Sequence, residues 1–268
     1  MRGMGRRLFC TCACAASVLP RASLAQPAPA SAGPADAGLI DDLVAANRIL
    51  FDQGVVDGFG HVSARHDKNP ERFLLARSMA PALVTAADLM EFDLDGVAVD
   101  AHGRPLYLER FIHSEIYRAR PDVRSVVHSH SPAVIPFGTS KVALKPLYHM
   151  SAFLGAGAPV FEIRDAGGPA TDMLIRNREL GHALAEALGN GPVVLMRGHG
   201  STVVGSSVRQ AVFRAVYTEV NARLESEALR LGEVTFLNED EAANAAVTNA
   251  GLVDRPWELW RKKAMEGR

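Results

Sequence analysis

His128 and His130 close the run SVVHSHSP, and a strand there sends residues i and i+2 to the same face. Two imidazoles so placed can converge on one cation, at the ~2.0–2.1 Å that nitrogen ligands take around zinc. An HxH pair alone suits a surface loop equally well. His199 stands in Arg197-Gly198-His199-Gly200, directly after the apolar stretch VVLM, and glycine on each side permits close backbone approach. The same four residues also read as a tight turn with an exposed histidine. Glu109 opens the segment ERFIHSEIY, where a carboxylate at a helix start is favoured by the helix dipole. Three histidines and one carboxylate are what a catalytic metal site requires: three neutral nitrogen ligands, and a position that a carboxylate, water or substrate can share.

Elements that could hold these groups are visible on both sides of them. Asp36 can cap a helix whose apolar positions Leu39, Ile40, Leu43, Val44 and Leu50 recur at helical spacing, with Gly54 placed to end it. Short strands are expected at 55–56, 62–64, 73–76, 89–93 and 97–99. A helix over 108–119 stops before Pro121, and the β-branched run 123–128 reads as a buried strand that delivers the HxH pair. Strands at 159–163, 193–196 and 203–204 alternate with helices at 177–188 and 207–231, and Asn238 and Asp254 cap two more. The irregular alternation predicts an α/β protein of one domain, its mixed sheet covered on both faces.

The blocks GHVSAR, ERFIHSEIYRARPDVRSVVHSHSP and VVLMRGHGSTVVG, in that order, resemble the class II aldolase/adducin family over about residues 39–232. The resemblance implies a three-layer α/β/α fold and a four-fold symmetric homotetramer with active sites between subunits. It also implies that His128, His130 and His199 are metal ligands, and that Glu109 is the acid/base carboxylate, able to touch the metal before substrate binds.

The sequence departs from the sugar-phosphate members of that family where they bind phosphate. Tyr107-Leu108 precedes Glu109 in place of a Ser-Ser pair, Arg77-Ser78-Met79-Ala80 replaces a Ser-Gly loop, and His61 replaces Asn, with Ser63 retained. Bulky Tyr107 and Leu108 would fill a phosphate pocket and offer few donors. An organic acid fits better, with Arg77 and His61 pairing to a carboxylate and Tyr107, Leu108 and Met79 giving apolar or stacking surface. The wording PLYLERFIHSEIY is similar to a branch that includes aromatic-acid decarboxylases and an iron-dependent oxygenase. His61, Ser63, Arg77, Ser78, Tyr107 and His149 are therefore the candidate substrate-binding residues. His113, four residues after Glu109, is expected to orient it or fill the core, whereas His66, His102 and His182 read as surface. Trp257 and Trp260 are expected to pack the last helix.

The expected activity is that of a divalent-metal lyase. The metal stabilises enolate-like charge while a carbon–carbon bond of a non-phosphorylated hydroxy or aromatic acid breaks, by aldol cleavage or decarboxylation. Zn2+ suits three imidazoles best, and Mn2+, Co2+ or Fe2+ also suit such a site. Sugar-phosphate aldolase or epimerase activity, an iron-dependent oxygenase and a non-enzymatic adducin-like module are the alternatives.

The 268 residues are 48% hydrophobic and 22% charged with a formal net charge of −1, which gives no basic excess for nucleic acid. All three Cys (Cys10, Cys12, Cys14) lie in the first fourteen residues, inside an apolar stretch that follows Arg6-Arg7 and precedes Ser23-Leu24-Ala25. That pattern reads as a twin-arginine-like secretion signal over 1–25 and predicts a periplasmic or secreted, thiol-free mature protein with no stable membrane anchor. Removing it takes four Arg and no acid, leaving a charge of about −5. A flexible Pro/Ala-rich lead-in over 26–35 and a catalytic domain over 36–268 follow.

Overall fold

A computed structural model describes residues 28–266, so the signal-like segment 1–25 lies outside the described residues. Seven strands form one sheet: β1 His61–Arg65, β2 Arg72–Ala76, β3 Leu89–Asp93, β4 Ser125–Ser129, β5 Val160–Phe161, β6 Val193–Met196 and β7 Gly200–Gly205. They run in the order β3-β2-β1-β4-β7-β6-β5, and β5–β6 is parallel while the other neighbours are antiparallel. The helices are α1 Ala37–Asp52, α2 Arg110–Ala119, α3 Ile135–Thr139, α4 Ile163–Gly167, α5 Arg178–Leu188, α6 Val208–Leu231, α7 Glu239–Ala250 and α8 Asp254–Glu266. None of the described helices is long and apolar enough to cross a membrane.

Strand alternation builds two cores, one on each face of the sheet. Phe73, Leu75, Val126, Val194 and Val204 pack with Ile112 and Ile116 of α2 and Leu184 of α5. Their strand neighbours Leu74, Val127, Val193, Leu195 and Val203 point the other way, onto Leu43 and Ile49 of α1, Val212 and Val216 of α6, and Trp257 and Trp260 of α8. The expected mixed sheet covered on both faces is therefore present. Asp36 and Asn238 cap their helices as the sequence predicts, each accepting a backbone N–H from the first turn; Asn177 and Ser207 do the same, whereas Asp254, expected as a cap, lies inside the first turn of α8. Such a cap contributes about 1 kcal/mol.

Four predicted strands change. Residues 55–56 form a turn, and 97–99 contribute a single bridge, Phe92 to Ala98. The strand expected over 159–163 stops at Phe161, because the Glu162 side chain accepts the Arg164 N–H and starts α4 at Ile163. Strand β7 instead extends beyond 203–204 in both directions, being paired on both edges by β4 and β6.

The lead-in is also more ordered than its composition suggests. From residue 28 it is tied to the sheet: Ser31 Oγ donates to Glu91 Oε2 at 2.7 Å and the Ala32 N–H to Glu91 Oε1 at 2.8 Å. His66, expected at the surface, is buried beneath it. Its Nε2–H donates to the Gly33 carbonyl at 3.1 Å, while Nδ1 accepts the Lys68 N–H. His102 and His182 are exposed as expected.

Candidate metal centre

Strands β1 and β4 run antiparallel with His61 directly opposite His128, and both side chains share the sheet face covered by α2. His130 lies one residue beyond the end of β4. His199 sits in the turn between β6 and β7, where Gly198 adopts φ +63°. At Gly200 a Cβ would run into the Ser129 carbonyl, so only glycine lets β7 lie this close to β4. That approach brings His199 beside His130, with their Nε2 atoms 3.0 Å apart.

Glu109 immediately precedes α2, at the N-cap position, yet its side chain makes no capping bond. Its Oε1 accepts the Ile175 N–H at 2.9 Å, and Oε2 lies 3.5 Å from Nε2 of both His128 and His199. The carboxylate is thus turned from its own helix into the cluster. Donor atoms of Glu109, His128, His130 and His199 all fall within 4.8 Å of one another.

Backbone carbonyls set the tautomers. Nδ1–H of His128 donates to the Ser201 carbonyl at 3.2 Å, and that of His199 to the Met173 carbonyl at 2.9 Å. In both rings this leaves the Nε2 lone pair facing inward, the arrangement that ligating histidines take. Nε2 of His128 is buried, and among the described residues it has no hydrogen-bond partner. A buried orphan of this kind calls for an absent partner, and a divalent cation fits the four donors.

Electrostatics agree. Burial raises the Glu109 pKa, but hydrogen bonds and charge from His128 and His199 in their protonated forms outweigh it and hold the carboxyl well below the usual range. Burial, followed by the repulsion that His128 and His199 exert when protonated, pushes His130 down to about 4. Both groups are therefore in their ligating forms near neutral pH.

The remaining candidates are distributed unevenly. His61 borders the cluster, its ring centroid 5.1 Å from that of His128 and 4.5 Å from that of Tyr107. Tyr107 donates its hydroxyl to the Met79 carbonyl at 2.5 Å, so it presents a ring rather than a donor. Arg77 donates from Nε to Asp88 at 2.7 Å, and Ser78 is tied through its N–H to the Pro105 carbonyl at 2.8 Å.

Ser63 requires correction, and His149 is not brought to the cluster within the described chain. Ser63 is fully buried behind His61, where α2 covers it and its hydroxyl bonds His113 and Tyr117, so it cannot meet substrate. His149 is exposed, its ring against Tyr148 and its carbonyl held by Asn249, and among the described residues no contact joins it to the cluster. His113 does not orient Glu109 either. Glu109 lies outside the helix and turns toward Ile175, leaving His113 to bond His61.

Sequence reasoning overlooked Phe59, which is 69% exposed and stacks 6.1 Å from the His130 ring. Its signal was the turn DGFG, whose last glycine opens GHVSAR. It also overlooked Met173 and Ile175, which act through backbone atoms that no side-chain pattern reveals.

Known proteins share this arrangement of elements. The family profile "Class II Aldolase and Adducin N-terminal domain" matches residues 41–226. Decarboxylase tropJ from Talaromyces stipitatus is 37% identical over 242 residues, covering 82% of this chain and 91% of the relative. A 3,4-dihydroxyphthalate decarboxylase from Arthrobacter keyseri is 34% identical over 208 residues, 73% of this chain and 81% of the relative. Among solved structures, L-fuculose 1-phosphate aldolase from Glaciozyma antarctica superposes with a TM-score of 0.69 at 23% identity, covering 87% of this chain and 93% of that one. At that identity it speaks for the fold alone.

Proposed function

This chain belongs to the class II aldolase and adducin family, and from that membership we propose that it is a divalent-metal-dependent carboxy-lyase acting on a hydroxylated aromatic acid. The observation that carries the reading is the convergence of four donor atoms from Glu109, His128, His130 and His199 within 4.8 Å. Beside it the exposed Phe59 ring stacks on His130, and the Tyr107 ring packs on His61. The names of the relatives favour decarboxylation over aldol cleavage.

The three histidines and Glu109 would hold the ion, with Zn2+ the best match to three imidazoles. Once bound, it supplies Lewis acidity toward a carbonyl or hydroxyl oxygen beside the bond that breaks. Glu109 is ionised and accepts the proton of a substrate hydroxyl. As the carbon–carbon bond breaks, carbon dioxide leaves, its electron pair stays on the ring carbon, and Glu109 returns the proton there. Phe59, Leu108 and Tyr107 receive the ring and limit water.

The amino-terminal sequence supports export of a mature enzyme that begins after Ala25, and the family resemblance supports a homotetramer. Purified protein should contain a stoichiometric divalent ion and release carbon dioxide from 3,4-dihydroxyphthalate or a related hydroxybenzoic acid. Release of an aldehyde from a hydroxy acid, with no carbon dioxide from any aromatic acid, would replace this reading with an aldolase. Amino-terminal sequencing of exported protein tests cleavage, and light scattering tests the tetramer.

A further inference from the structure

A chain of four buried groups runs away from the metal centre beneath α2. Nδ1 of His61 lies 2.6 Å from Nε2 of His113, Nδ1 of His113 lies 2.6 Å from Ser63 Oγ, and Ser63 Oγ lies 2.7 Å from the Tyr117 hydroxyl. None of the four is more than 4% exposed.

Counting hydrogens fixes the direction of this chain. The Tyr117 hydroxyl is buried, and among the described residues Ser63 Oγ is the acceptor within its reach, so Tyr117 donates to Ser63. Ser63 has one hydrogen and must therefore give it to Nδ1 of His113. His113 then carries its hydrogen on Nε2 and donates to Nδ1 of His61. The one place left for the His61 hydrogen is Nε2, on the ring that packs against His128 and Tyr107.

We infer that Tyr117, Ser63 and His113 form a tautomer lock that holds His61 as a neutral Nε2–H donor facing the substrate. The oxygen it meets is one with lone pairs and no hydrogen of its own to give, a carboxylate or phenolate oxygen of the aromatic acid. The lock positions His61 and does not feed it protons. A relay would leave Tyr117 as a phenolate, and burial raises that hydroxyl far above its ordinary range. Ser63, His113 and Tyr117 are accordingly positioning residues. The identity of the acceptor oxygen rests on the activity proposed above, whereas the tautomer does not.

Imidazole nitrogen NMR of the isotope-labelled, zinc-loaded protein reads the tautomer directly. His61 should be protonated at Nε2 alone in the unsubstituted protein. Tyr117→Phe removes the terminal donor, frees Ser63 to accept from His113, and should populate the Nδ1–H form of His61 while metal content stays constant. Ser63→Ala should do the same. Protonation of His61 at Nδ1 in the unsubstituted protein overturns the lock, even where a variant fails to fold. So does an unchanged tautomer in both variants. For the contact itself, His61→Leu should lower kcat/KM on 3,4-dihydroxyphthalate roughly tenfold or more. His61→Gln, which restores an N–H near the same point, should recover part of it. Equal activity of the two variants refutes the donor role. No turnover by the unsubstituted protein defeats the proposed activity and leaves the NMR result standing.

Discussion

Two imidazole groups meet at the contact between the His61 and His128 rings, and they are built on opposite rules. On the His128 side, backbone carbonyls take the outer Nδ1 hydrogens of His128 and His199, so ring lone pairs face one another and the carboxylate of Glu109. On the His61 side, each polar atom between Tyr117 and His61 has a hydrogen to give or receive. One group is left open for something from outside, and the other is closed on itself. His128 is as buried as His61 and His113, and all three are imidazoles, so neither property marks a metal ligand. The inward lone pair does.

The largest expected effect is at the open side. His128→Ala or His199→Ala should abolish stoichiometric metal by elemental analysis and reduce turnover by more than the roughly 10–100-fold typical of losing an outer-shell partner. Full metal retention would erase the distinction. Glu109→Gln keeps an acceptor for the Ile175 N–H but removes the charge and the proton carrier. Turnover should fall by about 10²–10⁴-fold in steady-state assays, with the fold intact by circular dichroism.

Stability sharpens the contrast. In metal-free protein, His113→Ala should cost about 1–3 kcal/mol by denaturant unfolding, because it leaves the Ser63 hydroxyl hydrogen without an acceptor and Nδ1 of His61 without a donor. His130→Ala in the same metal-free protein should change stability by less than about 0.5 kcal/mol. Adding metal at a hundred times its dissociation constant should stabilise the unsubstituted protein by about 2.7 kcal/mol and His130→Ala by much less. Equal losses in the metal-free proteins would mean that the open group is also closed.

Glu225 lies between the two cases. Its Oε2 accepts from the Lys145 N–H and Asn221 Nδ2, while Oε1 is buried without a hydrogen-bond partner among the described residues. Burial pushes its carboxyl up to about 7 from 4.5, so the folded state holds a proton that the unfolded state releases. Stability contributed by this group is present below about pH 4.5 and is lost as pH rises through 7. Glu225→Gln should flatten that part of the stability–pH curve, the smallest of these effects. An unchanged slope would show that Oε1 has found a partner in solution.

Patterns carried by side chains were legible in the sequence, and those carried by the backbone were not. The HxH spacing, the helix caps at Asp36 and Asn238 and the alternation through Val126, Val127 and His128 each follow from residue type and period. The carbonyls of Met173 and Ser201 that orient two candidate ligands belong to residues whose side chains give no hint of the role. Ser63 misled because the resemblance retains its hydroxyl beside His61 without showing that α2 lies over it. The Pro/Ala-rich lead-in misled for a similar reason, since composition does not reveal that Glu91 is there to accept from Ser31 and Ala32.

The close approach at Gly200 has a consequence for any attempt to redesign the centre. Because the Ser129 carbonyl occupies the space that a Cβ would need, the spacing between His130 and His199 is set by what position 200 lacks. A saturation library there should return glycine alone among metal-binding clones. Ligand swaps at 128, 130 or 199 can be sampled freely only while that residue is left untouched. Among these positions, the one most intolerant of change carries no chemistry of its own.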